Sequence, residues 1–255
     1  MSIRIDYDAI AHLYDEPRRD HPPDSRLESF VAERRTTALR VLDVGCGTGK
    51  QLAANRARFS GIVPVGVDRS AGMLRIARAR DPSVAWIRGD AQALPLSSSA
   101  FDYVTNQFSY PHIADKTRFV NEVFRILRPG GRFVLTNIDP WAMAGWILYR
   151  YFPDGRALDE RDFLPRDSLV RLLSTAGFTG VTVTATDRST DEDLATYLPY
   201  VSQRHTASQL LAISDAAYDA GLRRVRDELT SAGGHAVVRS QFVIITVTGD
   251  KPIRA

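Results

Sequence analysis

Apolar positions along this 255-residue chain follow two rhythms. Short, nearly continuous apolar runs occur at Val41-Leu-Asp-Val44, Ile62-Val-Pro-Val-Gly-Val-Asp68, Val84-Ala-Trp-Ile-Arg-Gly-Asp90, Phe101-Asp-Tyr-Val-Thr-Asn-Gln-Phe108 and Arg132-Phe-Val-Leu-Thr-Asn-Ile-Asp139. Runs of this length and composition suit strands buried on both faces of a parallel sheet. Between them the spacing lengthens to that of helices. Lys50 to Phe59 and the segment from Arg69 to Ala77 suit helices, and Lys116 to Leu127 sets Phe119, Val120, Val123, Phe124 and Leu127 on one helical face. Arg128-Pro-Gly-Gly131 should stop that helix, because proline cannot continue it and glycine accepts a left-handed turn. Strands alternating with helices predict an α/β fold.

The flanks read differently. Ile10, Leu13 and Tyr14 stand at helical spacing, and Asp20-His-Pro-Pro-Asp-Ser25 reads as a hinge, so a short helix is expected to precede the core within residues 1–39. Residues 40–189 and 235–255 form the expected core, with insertions at 140–165 and 190–234. Pro140 to Leu164 is long and aromatic, as lids and binding loops are. Asp167 to Ala176 predicts a helix closed by Gly177, and Val181 to Thr186 a strand. Thr190-Asp-Glu-Asp opens a helix with Leu194, Tyr197, Leu198 and Val201 as its stripe. Ala207 to Leu229 predicts another helix, and Val237 to Thr248 the last strand. The insertions are expected to form a cap over one side of the core, with a homodimer surface as the alternative.

Composition narrows the function classes. Hydrophobic residues make up 44% and charged residues 25%, as in soluble globular proteins. Cys46 is the only cysteine, which excludes an intrachain disulfide and a cysteine-built zinc site; no metal is expected, and a reducing cytoplasm is the default location. Charges interrupt the first eight residues where a secretory signal needs an apolar stretch. The longest apolar patch, Trp141 to Tyr149, falls short of the ~20 residues that span a bilayer. Net charge is only +3, with arginines interspersed among acids, which argues against a nucleic-acid partner.

The chemistry concentrates at strand ends. Gly45, Gly47 and Gly49 follow the first strand at once, and without a Cβ they permit positive φ and close approach to a ligand. Their Gly-x-Gly-x-Gly spacing departs from the Gly-x-Gly-x-x-Gly that seats a pyrophosphate, so an NAD-dependent oxidoreductase is the lesser alternative. Asp68 ends the second strand 23 positions after Gly45, where a carboxylate can accept bonds from both ribose hydroxyls.

The stretch Arg40-Val-Leu-Asp-Val-Gly-Cys-Gly-Thr-Gly-Lys50 closely resembles the first motif of class I methyltransferases that use S-adenosylmethionine. Glu122-Val-Phe-Arg-Ile-Leu-Arg-Pro-Gly-Gly131 resembles a run typical of their ubiquinone/menaquinone-type group, and the likeness spans roughly residues 40–139. The resemblance implies a Rossmann-like seven-stranded sheet of order 3-2-1-4-5-7-6 with the last strand antiparallel. It also implies S-adenosylmethionine as cofactor and methyl transfer to a small molecule of secondary or cofactor metabolism. A non-methylating binder of the same cofactor, or a partner subunit, is the alternative.

By the same resemblance Asp43, Gly45, Cys46, Gly47, Thr48 and Gly49 line the cofactor site. Asp68 holds the ribose with Arg69 beside it, Met73 packs near the adenine, and Asp90, Ala91 and Gln92 meet the adenine edge. Asn106 and Gln107 end the fourth strand, where open α/β sheets place ligands. Residues 7–15 look like the family's N-terminal segment, which makes residues 1–39 a helical lid, with Tyr14 placed to cover the sulfonium and Arg18 to approach the cofactor carboxylate. Tyr110, His112 and Asp139 follow strands four and five and are the candidates for a base, should the acceptor need one. The aromatics of 140–164 either favour a flat or apolar acceptor or pack onto the core.

Overall fold

The computed structural model describes residues 5–16, 21–34 and 38–253. Its centre is one seven-stranded sheet of order β3-β2-β1-β4-β5-β7-β6. Strands β1 (Leu39–Val44), β2 (Ile62–Asp68), β3 (Ala85–Arg88), β4 (Phe101–Gln107) and β5 (Leu127–Ile138) run parallel, while β7 (Val237–Asp250) pairs antiparallel with both β5 and β6 (Thr179–Asp193). The order and the antiparallel strand are those expected from the sequence. Pro64 is tolerated in β2 because pairing with β3 begins only at Val65, so at Pro64 that side is still an edge.

Helices α3 (Lys50–Arg58), α4 (Ala71–Arg80), α5 (Lys116–Ile126) and α8 (Arg166–Thr175) cover the sheet. Of the expected α5 stripe, Phe119, Val120 and Val123 are at 0% exposure against Phe133 and its neighbours, joined by Ile126, while Phe124 is only partly buried and Leu127 belongs to β5. Burying four such side chains contributes roughly 1.5–3 kcal/mol each. On the N-terminal side, a short helix α1 (Tyr7–Ile10) continues as a 3₁₀ turn through Leu13, and α2 (Ser25–Arg34) follows. Leu27 and Phe30 of α2 are fully buried beside Tyr103, whose hydroxyl donates to Asp24.

Helix α5 stops at Ile126, one residue early, for a different reason from a left-handed cap. Leu127 is extended and pairs with Phe101, and Pro129 holds Arg128 out of the helical region. Thr190-Asp-Glu-Asp belongs to β6, whose ladder with β7 runs on to Asp193 opposite Val237. Helix α9 (Leu194–Val201) therefore starts later, capped by the Asp193 carboxylate at 2.9 Å from the Ala195 amide.

The expected helix over 207–229 is broken. Helix α10 (Ser208–Ala212) ends at extended Ile213, and Ser214 caps a second helix, α11 (Asp215–Ser231). Residues 140–164 are not an open loop. They form α6 (Ile147–Tyr151) and α7 (Pro153–Asp162), and Tyr149, Tyr151 and Phe152 are buried in the core that α6, α7, α9 and α11 share. Among the described residues no helix is long and apolar enough to cross a membrane.

Candidate functional site

Strand register decides which side chains meet. Val44 is level with Val67, and Asp68 is level with Arg88, so the glycine loop, Asp68 and Asp90 emerge side by side from β1, β2 and β3. They open a cavity of about 520 Å³ at the C-terminal ends of the parallel strands. The three loop glycines have φ of +75°, +54° and +78°, and their surroundings differ. A Cβ on Gly45 would lie 2.1 Å from Ser109 Oγ, and one on Gly49 would lie 2.4 Å from the Trp86 ring. A Cβ on Gly47 would meet nothing within 4 Å, and Gly47 lines the cavity. Two of these glycines allow packing; the third leaves room for a ligand.

Asp68 holds this loop in place. Its Oδ2 accepts from the Gly47 amide at 2.9 Å and its Oδ1 from the Ser70 amide at 2.8 Å, while Ser70 Oγ caps α4 by accepting from the Met73 amide. Burial pushes the Asp68 carboxyl above its usual range, against the opposing pull of those amides. Asp43 lies behind it, fully enclosed; burial and the nearby Asp68 and Asp24 charges push its carboxyl well up, and its Oδ1 has no hydrogen-bond partner among the described residues. Asp90, one strand further out, accepts from the Gln92 amide at 2.8 Å.

The β4 end supplies the opposite wall. Phe108 takes φ +54°, a left-handed conformation that costs a bulky residue of order 1–3 kcal/mol, and it lines the cavity 40% exposed. Asn106 sits beneath, its side-chain amide donating to the Val44 carbonyl at 2.7 Å and to Ser109 Oγ. A 3₁₀ turn, Tyr110–His112, then brings the His112 ring to the cavity. The Lys116 ammonium donates to the Tyr110, Pro111 and Ile113 carbonyls and so clamps the turn. Burial lowers Lys116 to about 8. Burial first, then the Arg69 and Lys116 charges, lowers His112 to about 4, so its imidazole is neutral at physiological pH.

The N-terminal segment closes over these groups through three polar side chains, Tyr7, Asp8 and Asp15. The Tyr7 hydroxyl is 2.7 Å from His112 Nε2, with the two rings edge to face at 5.2 Å between centroids. Asp8 accepts from Ser70 Oγ and the Gly72 amide at the start of α4, and these bonds hold its carboxyl below the usual range. Asp15 accepts from Thr48 Oγ1 at 2.7 Å and pairs with Arg80, with Lys50 at 3.8 Å.

Of the residues expected from sequence, Tyr14, Gly45, Gly47, Asp68, Arg69, Met73, Asp90, Ala91, Gln92, Gln107 and His112 line the cavity. Asp43, Cys46, Thr48, Gly49 and Asn106 form its supporting layer. Arg18 lies outside the described residues. Two base candidates are not brought to the cavity. Tyr110 is 1% exposed and packs on Phe119 in the core, and Asp139 is buried with its carboxylate accepting from Arg166 Nε at 2.6 Å. No residue of 140–164 lines the cavity, because the aromatics of that segment pack down into the cap.

The sequence reading passed over Tyr7, Asp8, Phe108 and Ser109. Tyr7 and Tyr14 belong to one motif, and only the path of the chain selects Tyr7 as the partner of His112; Tyr14 packs edge to face on Tyr7.

Residues 42–135 match the family model described as a methyltransferase domain. The chain is 39% identical over 144 residues to a demethylmenaquinone methyltransferase of Thermus thermophilus, covering 50% of this chain and 66% of that protein. It is 33% identical over 124 residues to a 2-phytyl-1,4-naphtoquinone methyltransferase of Thermosynechococcus vestitus, covering 42% and 55% respectively. The matched part of the chain thus spans less than two thirds of these relatives' own length.

In fold it is similar to Haemonchus contortus phosphoethanolamine N-methyltransferase 2, solved with S-adenosylhomocysteine, at TM-score 0.59 and 20% identity over 96% of this chain and 57% of that one. It is as similar to the 4+2 cyclase SpnF, at TM-score 0.57 and 24% identity over 97% and 94%. Neighbours of such different chemistry speak to fold alone. By these matches, residues 42–135 carry a methyltransferase domain, and over that part the chain is similar to quinone methyltransferases.

Proposed function

We propose that this protein binds S-adenosylmethionine in the strand-tip cavity and transfers its methyl group to a small-molecule acceptor. The observation that carries the reading is the open space in front of Gly47, flanked by the Asp68 carboxylate at the tip of β2 and Asp90 just beyond β3. That donor set fits an adenosyl group. Two acids on adjacent strands suit the ribose hydroxyls and the exocyclic amine, and Met73, 2% exposed, offers an apolar contact. Neither acid suits a phosphate, which favours this cofactor over a phosphorylated dinucleotide.

When bound, the cofactor supplies a methyl group on positively charged sulfur. Catalysis of its transfer depends chiefly on alignment of the acceptor and exclusion of water. The N-terminal segment serves both ends: Asp8 and Asp15 fasten it across the cavity, and Tyr7 meets His112 at the β4 wall. A neutral His112 lowered to about 4 is a weak base, so its main work is to hold the Tyr7 hydroxyl and shape the acceptor side.

Calorimetry with S-adenosylhomocysteine tests the cofactor half of the reading, and its conversion from S-adenosylmethionine with a metabolite pool tests the transfer. Tight binding without turnover of any acceptor would favour the second reading, a non-methylating member of the fold, which the likeness to a cyclase keeps in view.

A further inference from the structure

A second cavity of about 420 Å³ lies in the cap and shares no lining residue with the first. Its floor is Ile147, Leu148, Ser240 and Tyr197, all at least nine-tenths buried. Trp146, Phe242 and Tyr200 form its walls, with the Trp146 and Phe242 rings edge to face at 5.2 Å. Four aromatic rings thus surround a groove of ligand size.

The β6–β7 register sets its polarity. Thr190 lies opposite Ser240 and Glu192 opposite Val238, which turns Thr190 and Glu192 to the groove and turns Asp191, paired with Arg239, to the other face. Among the described residues, Glu192 is the only charged one lining the groove. Its Oε1 accepts from Thr190 Oγ1 at 2.6 Å, and none of the described cations pairs with it. Arg188 is the next residue on that face, opposite Phe242, and is not part of the lining. The Tyr197 hydroxyl is buried with no hydrogen-bond partner among the described residues, an arrangement that normally costs ~1–3 kcal/mol unless a ligand or solvent satisfies it.

Aromatic faces carry negative charge at their centres and attract cations, most strongly where water is displaced. A carboxylate beside such faces selects positive over neutral or negative ligands. We infer that the groove between α6, α9 and the β6–β7 ladder is a binding site for an organic ammonium ion, separate from the strand-tip cavity and not dependent on methyl transfer. Glu192 neutralises the charge, the rings of Trp146, Tyr200 and Phe242 receive the alkyl ammonium, and the Tyr197 hydroxyl meets a polar substituent of the ligand.

The test is a titration of the full chain with choline, followed at the Trp146 indole N–H by heteronuclear NMR, with Trp146→Phe assigning the peak. Saturable shifts with a dissociation constant of about 1 mM or tighter are expected. The uncharged isostere 3,3-dimethylbutan-1-ol should bind at least tenfold more weakly. Glu192→Gln should weaken choline about fivefold and Glu192→Lys abolish its binding, while both variants keep S-adenosylhomocysteine binding, which reports an intact fold and reads out the other cavity independently. Shifts that stay linear to about 50 mM, equal binding of choline and its isostere, or choline affinity unchanged in Glu192→Gln would each overturn the assignment.

Discussion

Two regions of this molecule bury carboxylates, and they treat them in opposite ways. In the cap, Asp159 is 5% exposed and closed in on itself: the Tyr149 hydroxyl donates to it at 2.6 Å and the Gln209 amide at 2.8 Å. At the strand tips, Asp43 keeps a buried oxygen with no partner among the described residues, and Asp68 faces the cavity with only backbone amides on it. A satisfied buried acid is part of the packing. Acids held at strand ends with bonding capacity left, beside backbone kept clear of side chains, mark where a polar ligand belongs.

The contrast is tested most severely at Asp68. Asp68→Ala removes both the proposed ribose contacts and the bond that holds the Gly47 amide, and at about 1.5 kcal/mol for each hydrogen bond to a charged group the expected loss in S-adenosylhomocysteine affinity is roughly 100-fold by calorimetry. An unchanged affinity would remove the ribose assignment. Asp159→Ala, in contrast, should lower stability and leave that affinity within about threefold, since its partners all lie in the cap.

The glycine loop sharpens the same distinction within five residues. Gly49→Ala drives a methyl group into the Trp86 ring and should cost about 2–3 kcal/mol of stability in urea unfolding. Gly47→Ala meets no protein atom, so its stability cost should be only the ~1 kcal/mol of a left-handed alanine. Its affinity for S-adenosylhomocysteine should fall about tenfold or more, because the methyl group enters the ligand's space. The reverse pattern would mean that the loop is merely a tight turn.

Acid titration should separate His112 from Asp159 by sign. His112 is lowered from 6.5 to about 4, so between those values the unfolded chain binds the extra proton and stability is lost as pH falls, by about 2 kcal/mol after discounting for partial exposure. Asp159 is raised from 3.8 to about 6 by burial, so over that window the folded chain binds the extra proton and stability rises as pH falls. In the wild type the two partly cancel. Unfolding at pH 7 and pH 5 should show His112→Asn gaining stability on acidification relative to wild type and Asp159→Asn losing stability relative to wild type.

The smallest effect is expected at the segment that closes the cavity. Asp15 is an exposed to half-buried acid, and its ion pairs with Arg80 and Lys50 contribute little individually. Asp15→Asn should weaken S-adenosylhomocysteine binding only about twofold to fivefold, mainly by faster dissociation in stopped flow. Tyr7→Phe should likewise spare binding while lowering turnover.

Local rules carried much of this in advance. The strands β2 and β4 begin where apolar runs begin, α5 carries its stripe inward, and the strand-end acids fall beside the glycine loop. Each depends on neighbours in sequence or on periodicity, which the chain displays directly. The cap was less legible because its pattern is ambiguous. Thr190 to Asp193 has the acids of a helix start, yet thirteen aligned residues of β7 hold it as strand. Ala207 to Leu229 has continuous helical spacing, yet Ser214 offers a side-chain cap that splits it.

From its order of residues alone the chain settles the βα alternation, the glycine turn and the acids at Asp68 and Asp90, since these follow from spacing along one strand and the next. What only the assembled fold decides is which side chains share a space. Tyr7, and not Tyr14, reaches His112 across 105 residues; Tyr110 and Asp139 turn away from the cavity; and Glu192 joins Trp146 and Phe242 in a groove. Such contacts depend on register and on the path of distant segments, and no local preference encodes them.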